Sequence, residues 1–241
     1  MDIGVPYREL TQLDVSSLQG ELQNLTDADW DARPIRRASL AGDDAHCAAD
    51  SIVLRHEWIP AYSKRGFRHV QESLLDWAAR NNRDGGHLLP LMEERNSETS
   101  VYTFPDWIRW QQKVLPLIGP VLEPITRPGG VLTRVLFVRL PAGAVIPSHT
   151  DGQAMATRAH RIHLCISDCP KCVYTIGDAE LVMKPGIAYD FNNRWPHAVR
   201  NEGSMPRINL MIEYLPDPAW VFPAPVLLGQ TGSQRTASAK H

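Results

Sequence analysis

Hydrophobic positions change their period midway along the chain. In the first 125 residues they recur at helical spacing in three stretches. Val15, Leu18, Leu22 and Leu25 form one apolar stripe, and Asp14 or Ser16 can cap its start. Val70, Leu74, Trp77 and Ala78 form a second between Phe67 and Arg80, which the run Asn81-Asn-Arg-Asp-Gly-Gly86 ends with glycines suited to a cap and turn. The third runs from Pro105 to Leu115, with proline in its first turn; Pro116 leaves open whether it ends there. Trp107 and Trp110 are at helical spacing and read as core. Two strand-like runs lie between these helices, Ile35–Leu40 and Ser51–Trp58, with a turn predicted at 41–44. Residues 87–104 read as loop-rich.

After residue 130 the pattern shortens. Strand-like runs alternate with Pro/Gly turns at 131–140, 144–149, 161–167, 172–176, 180–183, 187–191, 197–201 and 207–214. Short strands with this punctuation predict a β-sandwich or barrel. The tail, 229–241, lacks large apolar residues and is expected to be disordered. No internal repeat is present. The expected organisation is one domain over 1–228. In it a helix-rich part, 1–130, packs on a β core at 131–215.

Composition narrows the classes. Apolar residues make up 43% of the 241 and charged residues 22%, as in ordinary globular proteins. The formal net charge of −2 gives no basic field for nucleic acid. The start, Met1-Asp-Ile-Gly-Val-Pro6, has no secretory pattern, and no apolar run reaches membrane-spanning length. These features predict a cytoplasmic protein with no membrane or nucleic-acid partner; the oligomeric state stays open. Nineteen prolines argue against an all-helical bundle. Cys165-x3-Cys169-x2-Cys172 matches a radical iron–sulfur spacing. However, Cys165 falls inside a strand and no βα alternation follows, so these read as ordinary thiols, with Cys169 and Cys172 a redox-labile pair.

Candidate chemistry is confined to the β half. His149 and Asp151, two residues apart on an extended chain, leave the same face. They supply two of the three ligands of a 2-His-1-carboxylate iron site, and His197, which opens a later strand, is the candidate third. Arg161 and His163 share one strand face, Ile162 and Leu164 the other; an Arg/His face turned to a core needs an anion. Arg207 is expected on the strand that forms a hairpin with the one bearing His197. It would sit about 10 Å deeper, where a dicarboxylate held at the metal could reach it. Arg134 and Arg139 differ in parity on their strand and read as surface charges.

In order, H-x-D at 149–151, R-x-H-L at 161–164, P-H at 196–197 and P-R-I-x-L at 206–210 resemble the aspartyl/asparaginyl β-hydroxylase family of Fe(II)/2-oxoglutarate dioxygenases. The resemblance covers roughly residues 131–215. It implies a mainly β fold with flanking helices around a double-stranded β-helix (jelly-roll, cupin-like) core. It makes His149, Asp151 and His197 the iron ligands and Arg207 the 2-oxoglutarate clamp, with Arg161 and His163 beside the cosubstrate. It implies an enzyme that uses Fe(II), 2-oxoglutarate and O2 to hydroxylate an amino acid, free or in a peptide, releasing succinate and CO2. Family precedent spans Asp/Asn side chains and free proline. Cys165 and Asn192 depart from the family pattern away from the ligands, which leaves the substrate open. The alternative is a non-catalytic, metal-retaining cupin-like binding protein.

Overall fold

The computed structural model describes residues 1–39, 45–58, 70–95, 100–152 and 155–216. The expected turn at 41–44 and the tail at 229–241 lie outside them. Among the described residues no helix is long and apolar enough to cross a membrane.

All eight strands expected after residue 130 form: β5 (Val131–Leu140), β6 (Val145–His149), β7 (His160–Cys165), β8 (Cys172–Ile176), β9 (Ala179–Leu181), β10 (Ile187–Phe191), β11 (His197–Asn201) and β12 (Arg207–Leu215). Four more precede them: β1 (Tyr7–Gln12), β2 (Asp50–Trp58), β3 (Met92–Arg95) and β4 (Ser100–Thr103). They build a large sheet, β1-β10-β7-β12-β5-β2-β4-β3, and a small one, β6-β11-β8-β9. All paired strands are antiparallel. From β5 to β12 the chain passes repeatedly between the two sheets, which is the winding of a double-stranded β-helix. The N-terminal strands widen the large sheet at both edges.

The period-2 pattern divides the large sheet between two cores. Val135, Phe137, Ile162, Leu164, Ile208, Leu210 and Ile212 pack outward with α1 (Ser16–Gln23) and α5 (Asp106–Leu122). Leu136, Val138 and Met211 point inward to meet Ile146, Tyr174, Ile176 and Val199 of the small sheet. Burying these apolar side chains on the outer face is worth roughly 10–20 kcal/mol before entropy is charged against it. β12 is therefore buried along its whole length.

Three readings are corrected, and one left open, the end of the helix at Pro116, is answered. Ile35–Leu40 is not a strand: Ile35–Ser39 is a helix, α3, which packs on α4 (Val70–Arg80). Ile35 and Ala38 turn to the same core at i, i+3 spacing. Residues 87–104 hold the paired strands β3 and β4. α5 runs on through Pro116 and Pro120; both prolines are exposed, so the carbonyls that lose helical partners there can meet water. Last, β11 and β12 are not a hairpin. β11 pairs with β6 and β8, β12 with β5 and β7. The Asn201 amide marks the crossing, its Nδ2 reaching the carbonyls of Leu140, Pro141 and Met205. Gly186 closes another turn at φ +81°, where an added Cβ would meet the Leu13 carbonyl oxygen at 2.3 Å.

Candidate metal centre

β6 ends at His149 and β11 begins at His197, and the two are register partners. Their ring centroids lie 4.3 Å apart. Each imidazole donates from Nδ1 to the carbonyl two residues upstream: His149 to Pro147 O (2.8 Å) and His197 to Trp195 O (2.9 Å). A carbonyl only accepts, so both rings carry a proton on Nδ1, and in the neutral ring this tautomer presents Nε2 as a lone pair. His149 Nε2 is buried with no hydrogen-bond partner. Asp151 is tied by its N–H to Asn193 O (3.1 Å). Its Oδ1 lies 3.8 Å from His149 Nε2, and its Oδ2 accepts from Arg161 Nη1.

A residue outside the sequence motifs joins them. His46, in a short 3-10 turn (Ala45–Ala48) before β2, places Nε2 3.7 Å from Asp151 Oδ1. Its ring stands edge-on to His149 at 4.6 Å. One donor atom each from His46, His149 and Asp151 lie within 4.8 Å of one another. That tightest set differs from the expected triad: His197 joins through its contact with the His149 ring. Nothing in the local sequence around His46 marks it out.

Burial lowers His197 to about 4 and also lowers His46. Burial would raise Asp151, but Arg161, the hydrogen bond from His46 and the nearby imidazoles together outweigh it and hold the carboxyl well below its usual range. Neutral imidazoles beside an ionised carboxylate are what a metal ion requires, and an orphaned buried lone pair beside that carboxylate fits one.

Arg207 lies deeper in the barrel, 3% exposed. Its Nε and Nη1 are buried without protein partners, and its guanidinium carbon stands 5.4 Å from the Tyr174 ring centroid. Beside it the Asn209 amide donates to Tyr174 Oη at 3.0 Å and contacts His163 Nδ1 at 3.3 Å, while Asn209 Oδ1 has no partner. Burial and Arg207 hold His163 well below its ordinary value, and so neutral. A buried, underpaired guanidinium is costly unless an anion meets it. Rings packed edge-on or tilted run from this end to the metal donors: His163 against Phe191 (5.5 Å), Phe191 against His197 (5.2 Å), His197 against His149.

Arg161 was expected beside the same anion. Its guanidinium is instead spanned by Asp151 and by Glu213, whose Oε1 accepts from Nε (2.9 Å) and Nη2 (2.6 Å). Arg134, expected at the surface, is buried between Glu57 and Glu213. Cys165, Cys169 and Cys172 are free, buried thiols near Arg207, and burial raises all three.

Residues 99–216, which carry most of these groups, match the family model described as aspartyl/asparaginyl beta-hydroxylase. This part of the chain is similar to that family. The matched segment begins at β4 and takes in α5 and β5 to β12, but leaves His46 outside. No curated protein matches the sequence. Solved structures give looser likenesses. A prolyl-4-hydroxylase from Pseudomonas putida is 11% identical over 88% of this chain and 93% of that one, with TM-score 0.40. A 2OG-Fe(II) oxygenase family oxidoreductase from Burkholderia pseudomallei is 14% identical over 52% and 65%, with TM-score 0.38. The non-heme monooxygenase ThoJ, in a nickel complex, is 14% identical over 44% of this chain, with TM-score 0.37; the chain spans 54% of ThoJ.

Proposed function

We propose that the protein is an Fe(II)/2-oxoglutarate-dependent dioxygenase that hydroxylates an unactivated C–H of an amino acid, free or within a peptide. The observation that carries this reading is the pair of unmet needs in one barrel. His149 Nε2 is orphaned beside Asp151, and Arg207 is buried with two unpartnered nitrogens. A metal ion answers the first and a carboxylate the second. A molecule carrying a metal-chelating 2-oxo acid at one end and a second carboxylate at the other answers both.

In this reading His149, Asp151 and His197 hold iron, with His46 a further donor at its edge. Iron(II) bound there with 2-oxoglutarate and O2 supplies oxidative decarboxylation, to succinate and CO2, and oxygen insertion into the substrate C–H. The chain's own contribution is positional. The two Nδ1–H bonds fix the ligand tautomers and ring planes. Arg207, as a planar fork, takes the distal carboxylate by two bonds. His163, kept neutral, and the Asn209 amide line the path between. The Phe191 ring, 2% exposed, keeps water from the stretch joining the two ends.

The test is Fe(II)- and 2-oxoglutarate-dependent succinate formation, with free amino acids and short peptides screened by mass spectrometry for a gain of one oxygen. Metal binding without succinate under any substrate would replace this reading with that of a cupin-like binding protein.

A further inference from the structure

Arg161 does not stand alone. Glu57, Arg134, Glu213 and Arg161 come from β2, β5, β12 and β7, four consecutive neighbours in the large sheet. Arg134 is the direct register partner of Glu213, and Glu213 of Arg161. Arg134 grips Glu57 through Nε and Nη2 and Glu213 through Nη1 (3.2 Å). Arg161 grips Glu213 with Nε and Nη2 and Asp151 with Nη1. The result is a buried cross-strand ladder of alternating sign that ends on Asp151.

The two oxygens of Asp151 have separate tasks. Oδ1 faces the imidazoles of His149 and His46 at 3.8 and 3.7 Å; Oδ2 is taken by Arg161. We propose that Arg161 is a positioning residue: anchored by the Glu213–Arg134–Glu57 ladder, it pins Asp151 Oδ2 so that the aspartate offers the metal one oxygen only. The proposal rests on the metal centre proposed above. A free carboxylate can swing and chelate through both oxygens, which takes up a coordination position. A guanidinium already held from behind by Glu213 prevents that swing. The same anchoring makes Arg161 unavailable to an incoming anion, so carboxylate recognition falls to Arg207. Buried charges are stable only in a closed geometry such as this one, and removing a single member exposes the others.

The experiment uses the full chain and Mn(II) alone, with affinity read by EPR or calorimetry, and then 2-oxoglutarate added to protein saturated with Mn(II). R161Q is expected to bind Mn(II) about 10–100-fold more weakly than the unmodified chain, as loss of an outer-shell partner does elsewhere. R161K, which can reach Asp151 or Glu213 but not fork between them, should recover part of the loss. 2-Oxoglutarate affinity at saturating Mn(II) should stay within about threefold for R161Q and collapse for R207Q. Unchanged Mn(II) affinity in R161Q, with weakened 2-oxoglutarate binding alone, overturns the proposal and makes Arg161 a cosubstrate contact. If R161Q does not fold, the double variant R161Q/E213Q removes opposite charges together. Weak Mn(II) binding in it supports the proposal, and full-strength binding overturns it. If the unmodified chain binds no Mn(II), Zn(II) or Fe(II), the metal centre itself is wrong and the proposal falls with it.

Discussion

His149 and His197 face one another across β6 and β11, and each donates Nδ1 to the carbonyl two residues before it. The symmetry leaves two Nε2 lone pairs on one side of the small sheet. His149→Ala and His197→Ala should each abolish stoichiometric Co(II) binding, measured by the visible absorption of the bound ion. The urea midpoint of His149→Ala without metal should change little, since His149 is partly exposed and its Nε2 makes no bond that folding depends on.

In the proposed site Arg207 takes the anion, through the nitrogens that no protein group meets. Two charge-assisted hydrogen bonds are worth about 3 kcal/mol together, or roughly 100-fold. Arg207→Gln should raise KM for 2-oxoglutarate by about that factor and leave metal affinity near its starting value. Arg207→Lys keeps the charge but loses the fork, and should fall between. Steady-state succinate assays over a range of 2-oxoglutarate concentrations measure both.

His46 sits on the N-terminal segment and is a donor in the tightest set. His46→Ala should weaken Mn(II) binding by about tenfold, a loss of roughly 1.4 kcal/mol, without abolishing it. Calorimetry on the apoprotein reads this directly. An affinity equal to that of the unmodified chain would place His46 outside the coordination sphere.

Glu57 and Glu213 bracket Arg134 yet titrate in opposite senses. Burial pushes Glu57 up to about 7, against the pull of Arg134. Glu213, although buried, is held lower by Arg134 and Arg161 together. Below the ordinary value of 4.5 the Glu57 carboxyl is protonated in both folded and unfolded chains. Between 4.5 and 7 the unfolded chain ionises first, so folding takes up a proton and this group's contribution to stability falls as pH rises. The slope reaches at most about 1.4 kcal/mol per pH unit. Glu57→Gln should remove it. Comparing urea unfolding at pH 5 and pH 7 for the two proteins isolates the difference from any pH-independent cost of the substitution.

Gly186 has a conformation that side chains avoid and a backbone oxygen where a Cβ would go. Gly186→Ala should cost about 3 kcal/mol, read as a lower urea midpoint with unchanged slope.

Local pattern was enough for the barrel strands. Turn residues bounded each run, and alternation divided Ile162 and Leu164 from Arg161 and His163, so every strand from β5 to β12 was legible. The H-x-D spacing and the proline-histidine at 196–197 likewise marked residues that the sheets bring together. Helical stripes at 15–25, 67–80 and 105–115 gave three helices near their observed places.

Periodicity shows that two residues share a face; it does not show what that face meets. Only the tertiary structure sent β11 and β12 to different sheets, because strand pairing is chosen by the whole set of competing edges and not by the turn between two neighbours. Only register across β5, β12 and β7 turned Arg134 and Arg161 inward onto Glu213 and so onto Asp151. Arginine was legible in the sequence as a charge seeking a partner. Whether that partner is solvent, a ligand or a protein carboxylate is decided by desolvation at a place the chain reaches only when folded. His46 was hidden for the same reason: its nearest chemical neighbours are distant in the chain, and no spacing rule connects them.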